Sequence, residues 1–133
     1  MISLHPTTQN PRRGGPGLWG PVVVYMAAIY YGAALSQVPG PAARLSDTVI
    51  HMGGYAGLAM VTLRAVAGGR WSGITRRAVL LALVITTVHG MTVEVEQMFV
   101  PTRFAEWRDV GNNFVGALAG LGAVLAWGKL FKE

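Results

Sequence analysis

The sequence predicts an all-α integral membrane protein: a bundle of four transmembrane helices with both termini in the cytoplasm. Three observations lead there. Of 133 residues, 52% are hydrophobic and only 13% charged, and the mean hydropathy is +0.42, which is too apolar for an ordinary soluble domain. The apolar residues gather into four runs of about 20, the length that crosses a hydrocarbon core. The basic residues divide unequally between the two sides of a four-span arrangement, as membrane orientation requires. Such a chain has no room for a separate soluble catalytic domain, so any function is built inside the bundle or at its edge. There is no cysteine, which excludes disulfides, thiolate metal sites, iron–sulfur clusters and cysteine nucleophiles. The net charge of +5 is accounted for by orientation, and nucleic acid is not expected as a partner.

Residues 1–17 hold three prolines, three glycines and Arg12-Arg13, a composition that buries little apolar surface and predicts a disordered cytoplasmic tail. The four-helix domain is expected over residues 18–130. Its first span, Leu18 to Leu35, is uncharged, includes Trp19, Tyr25, Tyr30 and Tyr31, and stops before Pro39-Gly40-Pro41. The competing reading is a signal peptide cleaved near Ser36, but the stretch is long and aromatic for a signal core. The second span runs from about Thr48 to Ala67, with Asp47 at its mouth as a helix cap and His51 one turn inside. Gly68-Gly69 breaks it. Arg76-Arg77 open the third span, which reaches about Phe99 and collects His89, Glu94, Glu96 and Gln97 at its far end before Pro101. In the fourth span Asp109 stands where an N-cap is expected, and Gly116 and Gly120 have the small-xxx-small spacing that brings helices together in lipid.

Eight of the eleven basic residues (Arg12, Arg13, Arg64, Arg70, Arg76, Arg77, Lys129, Lys132) fall on one side of the four spans, which by the positive-inside tendency is cytoplasmic. Arg44, Arg103 and Arg108 fall on the other side, together with five of the six acids. Residues four apart share a helix face, so three polar stripes lie at matching depth near the outer side. They are Asp47, His51 and Tyr55; Thr86, Gly90, Glu94 and Gln97; and Asp109, Asn113, Gly116 and Gly120. An ionisable group in hydrocarbon costs at least ~2.5–3.5 kcal/mol, so such groups face the bundle interior or a wet cavity and pair with one another. The stripes therefore predict an outward-opening pocket, capped by a loop whose Arg103 suits a phosphate or carboxylate. Taken singly, Asp47 and Asp109 also read as helix caps, His51 as a structural hydrogen bond and Tyr55 as packing. Glu94 lies too deep to be a snorkelling end residue.

These residues also resemble the motifs of VanZ-like membrane proteins. Asp47, His51 and Tyr55 are similar to the Asp-x-x-x-His-x-x-x-Tyr signature of that family. The segment from Glu94 through Gln97, Phe99, Val100, Pro101 and Arg103, followed by Asp109, Asn113 and Gly116, looks like its second block, Asp-Glu-x-His-Gln-x-Phe-Val-Pro-Gly-Arg and then Asp-x-x-x-Asn-x-x-Gly. The resemblance spans about residues 20 to 128. It implies a small multi-pass protein of the bacterial inner membrane, in a family named for an accessory factor in teicoplanin resistance, and it carries the family's polar positions onto Asp47, His51, Tyr55, Glu94, Gln97, Arg103, Asp109 and Asn113. The sequence departs from the pattern at Thr48, Val93, Glu96 and Thr102, where the family often has Lys, Asp, His and Gly.

The reading is a pocket on the outer face for an anionic, headgroup-bearing molecule, such as a lipid-linked envelope precursor or a glycopeptide, with membrane lipids as its surroundings. The alternative is a non-catalytic structural or accessory subunit of a larger membrane complex. Transport would need oligomerisation and has no pair of broken helices behind it. No Gly-x-Ser-x-Gly, His-Glu-x-x-His or phosphate-binding glycine loop is present, so the balance is against an enzyme. His51 with nearby carboxylates is a metal ligand set by residue type alone. No spacing supports it, and neither a metal nor a cofactor is expected.

Overall fold

A computed structural model describes residues 15–35 and 40–131. It is all helical in these residues, with α1 (Pro16–Ala34), α2 (Asp47–Val66), α3 (Arg76–Gln97) and α4 (Trp107–Phe131), plus short 3₁₀ turns at Gly40–Arg44 and Trp71–Gly73. All four helices are long and apolar enough to cross a membrane. At 1.5 Å per residue, α3 is ~33 Å long. The predicted tail falls mostly outside the described residues, and so does the Ser36 cleavage alternative. Within the described part the tail boundary moves: Pro16 and Gly17 already belong to α1, because proline at the first helical position has the right φ and needs no N–H.

Local chemistry sets the ends and the path. Pro21 lies inside α1 and cannot donate to the Gly17 carbonyl four residues back; Arg64 Nη1 donates to that oxygen instead, at 3.5 Å. The expectation that Asp47 caps α2 is corrected. Ser46 is the N-cap, its hydroxyl accepting from Val49 N–H at 3.3 Å, and Asp47 is the first helical residue. Asp109 is likewise no cap, since α4 begins at Trp107 and Asp109 lies in its first turn. Thr75 caps α3 by accepting from Ala78 N–H at 3.1 Å. Gly68 and Gly69 close α2 with φ of 66° and 72°, and Gly69 N–H reaches back to the Arg64 carbonyl at 2.9 Å, a Schellman closure that left-handed glycines permit.

The helices run up and down. At one end the last residues of α1 and α3 meet the first turns of α2 and α4; at the other, Leu18 approaches Gly69 and Trp71 packs on Gly128. The tightest seam is between α2 and α4. A Cβ on Gly116 would strike the Met52 backbone carbonyl, and one on Gly120 the Ala56 carbonyl. Two apolar clusters fill the centre: Ala59, Leu63, Ala78, Ala82, Ala117 and Leu121 join α2, α3 and α4, while Val22, Tyr55, Leu58 and Ala65 join α1 to α2. The outside is apolar around the middle, with Val23, Val24, Leu80, Val84, Val88, Val115 and Leu118 exposed. Exposed aromatics mark both ends, Phe99, Phe104 and Trp107 at one and Trp71, Trp127 and Phe131 at the other. Lipid-facing helices have this distribution.

Candidate functional site

At the end of the bundle that holds the α3–α4 connection, three helices bring His51, Glu94 and Asp109 together. One side-chain ligand atom from each lies within 4.8 Å of the other two. His51 projects from the second turn of α2, Glu94 from the last turn of α3 and Asp109 from the first turn of α4. The imidazole is held on both sides. His51 Nδ1–H donates to Asn113 Oδ1 at 2.8 Å, and His51 Nε2 faces Asp109 Oδ2 at 3.7 Å. With the amide oxygen of Asn113 as acceptor, a neutral His51 carries its proton on Nδ1 and turns Nε2 toward the Asp109 carboxylate.

Glu94 is 5% exposed. Its Oε2 accepts from Glu106 N–H at 3.4 Å, whereas its Oε1 is buried without a hydrogen-bond partner. Among the described residues no lysine or arginine forms an ion pair with Glu94 or Asp109; Arg108 is paired with Glu106 at 3.7 Å on the exposed rim. The close approach of the helices here depends on Gly90. A Cβ at that position would stand 3.2 Å from Asn113 Nδ2 and 3.3 Å from Tyr55.

One turn deeper lies a second polar layer. Tyr55 OH contacts His89 Nδ1 at 3.0 Å, and Tyr30 stacks edge-on against His89 with ring centroids 4.9 Å apart. Tyr30 OH also meets Thr92 Oγ1. The stripe predicted on α3 takes in Thr86 and Gly90 but leaves out His89. The signal available in sequence was its i+3 spacing from Thr86, which puts both on one face; Tyr30, on another helix, carried no such signal.

Arg103, on the capping loop, is also tied to the bundle. It is half-buried, and its Nε–H donates to the Leu35 carbonyl at the end of α1, 3.1 Å away. Its direction comes from the turn before it. Arg103 N–H bonds the Val100 carbonyl at 3.2 Å across Pro101 and Thr102, and Thr102 has φ of 73°, the signature of a type II turn. Glycine is the residue such a turn prefers at the Thr102 position.

Two cavities meet at these residues. An apolar chamber of about 310 Å³ lies among α1, α2 and α3, lined by Tyr25, Ile29, Ala33, Ile50, Tyr55 and Val93 among others. A polar mouth of about 170 Å³ is lined by Thr102, Glu106, Arg108 and Asp109. Asp47, His51, Gln97 and Arg103 line both. Asp47 is exposed at the rim and Gln97 buried. Asn113 is 2% exposed beneath His51, while Gly116 and Gly120 belong to the α2–α4 seam and not to the site. Comparison of the chain with protein-family models, with curated proteins and with solved structures returns no match.

Proposed function

We propose that this chain is a multi-pass protein of the bacterial inner membrane whose outer face binds an amphiphile with an anionic headgroup, in the manner of a lipid-linked envelope precursor or an amphiphilic glycopeptide. One observation carries the reading: a polar mouth and an apolar chamber share four polar residues, Asp47, His51, Gln97 and Arg103. Such a pairing of compartments suits a molecule that is polar at one end and apolar at the other. A headgroup phosphate or carboxylate in the mouth would meet the Arg103 guanidinium, the best anion ligand present because its planar donors match two oxygens at once. The apolar tail would lie along Ile29, Ala33 and Ile50. The basic bias of eight to three puts both termini in the cytoplasm and the mouth at the outer leaflet.

The test is binding of fluorescent polyprenyl-phosphate and phosphatidylglycerol probes, against phosphatidylcholine, to the full chain in detergent. A preference for the anionic probes is expected. Arg103→Gln should weaken it by ~10–100-fold, the equivalent of one charge-assisted interaction of ~1.5–3 kcal/mol. Equal affinity for all three probes would overturn the reading. A stably co-purifying protein, with no lipid preference, would put an accessory subunit in its place.

A further inference from the structure

Two carboxylates and an imidazole within 4.8 Å of one another, in a chain that crosses a membrane, pose a charge problem. A neutral His51 leaves the cluster with up to two negative charges, and no lysine or arginine among the described residues is ion-paired with Glu94 or Asp109. Glu94 is 95% buried by its 5% exposure, and its Oε1 has no hydrogen-bond partner. An ionised carboxylate in that setting is strongly disfavoured unless a cation or a proton joins it. The pattern of donors favours the cation. Asn113 Oδ1 accepts a hydrogen bond from His51 Nδ1–H, so that the other ring nitrogen, Nε2, is the one that faces Asp109, which is how ligating histidines are held by an outer partner.

We propose that His51 Nε2, Glu94 and Asp109 form a binding site for one divalent transition-metal ion, zinc or manganese, with Asn113 as the positioning residue for the imidazole. The His51–Asp109 pair is close to the separation an ion requires, and the whole cluster, within 4.8 Å, would contract around it. Ligand atoms ~2.1 Å from a tetrahedral ion are ~3.4 Å apart, and His51 Nε2 to Asp109 Oδ2 is 3.7 Å. One imidazole nitrogen beside carboxylate oxygens selects an ion of intermediate softness over calcium or magnesium, which take oxygen alone. The polar mouth, lined by His51, Glu106 and Asp109, provides the entry path. Three protein ligands would leave a position open, and two of them, His51 and Asp109, line the mouth in which an anionic headgroup would lie. The ion site stands on the cluster itself. Its use as an anchor for a headgroup oxygen rests on the amphiphile reading given above, and the two are separable by experiment.

The full chain, purified in detergent and stripped with chelator, is titrated with zinc chloride or manganese chloride and the retained metal counted. One ion per chain is expected. Binding should weaken at least 100-fold in Glu94→Gln and Asp109→Asn, and ~10–100-fold in Asn113→Ala, the usual cost of losing an outer partner. Magnesium and calcium should not compete at equal concentration. Pulsed electron paramagnetic resonance of the manganese-loaded wild type should show coupling to one imidazole nitrogen, a readout that does not depend on whether any variant folds. Absence of stoichiometric metal, absence of the nitrogen coupling, or undiminished binding in folded Glu94→Gln and Asp109→Asn would each overturn the proposal. Anionic-lipid binding that is equally strong with and without chelator would remove the anchoring role and leave the ion site. Metal binding without any anionic-lipid preference would overturn the amphiphile reading alone.

Discussion

Thr102 is the single non-glycine residue among those described with a positive φ, 73°, and it occupies the turn that aims Arg103. A left-handed residue with a branched side chain costs of the order of 1–3 kcal/mol, a cost glycine avoids. Thr102→Gly should therefore raise the thermal unfolding midpoint in detergent by a few degrees, equivalent to about 1 kcal/mol, and an unchanged or lower midpoint would refute the turn assignment. The same turn explains why Arg103 is more than a surface cation: its bond to the Leu35 carbonyl ties the α3–α4 connection to the end of α1. Substitution there has a stability component, so binding by any Arg103 variant has to be read against its own thermal midpoint. Tyr55 offers a second test one turn deeper. Tyr55→Phe removes the partner of His89 Nδ1 and should destabilise the bundle by ~1–3 kcal/mol, the usual cost of stranding a buried polar group, as measured by thermal unfolding.

At the scale of the helices, α2 and α4 approach because Gly116 and Gly120 present no side chains to the Met52 and Ala56 carbonyls. The obstructing atoms are backbone and cannot swing aside. Gly116→Ala and Gly120→Ala should each cost at least ~1–3 kcal/mol, as overpacking does, and reduce the yield of monodisperse protein. Gly53, on the facing helix α2, is the control. A Cβ there meets nothing within 4 Å, so Gly53→Ala should be neutral or stabilising by ~0.5–1 kcal/mol through backbone entropy. Equal behaviour of the three variants in thermal unfolding would argue against the seam. Gly90 belongs to a different contact. It keeps α3 close to Asn113 and Tyr55, so its enlargement should disturb the site before it disturbs the bundle.

For the whole molecule, the up-and-down path brings the start of α2 and the α3–α4 connection to one end, and the basic bias predicts that this end faces outward. Reporter fusions after the last residue should be active on the cytoplasmic side, and a cysteine introduced at Thr102 should react with an impermeant maleimide from outside in intact cells. Labelling only after permeabilisation would invert the orientation and remove the outer-leaflet ligand from consideration.

The sequence by itself determined the number and approximate limits of the four helices, because length and apolarity of a span are local properties that bilayer thickness fixes. It also determined the faces on which His51, Glu94, Gln97 and Asn113 lie, since a helix repeats every 3.6 residues whatever surrounds it. Gly116 and Gly120 were legible as a seam for the same reason, though not the Met52 and Ala56 carbonyls they rest against. Only the tertiary structure decided that Ser46 caps α2 in place of Asp47, because Ser46 and Asp47 are both good caps and one residue of register separates them. It alone gave His89 to Tyr55 and the Leu35 carbonyl to Arg103, contacts between residues 34 and 68 positions apart. The meeting of His51, Glu94 and Asp109 within 4.8 Å is of this kind too. Helical periodicity states which way each side chain points on its own axis, but the distance between atoms on three helices depends on how closely those axes pack, and here small residues such as Gly90 set that spacing.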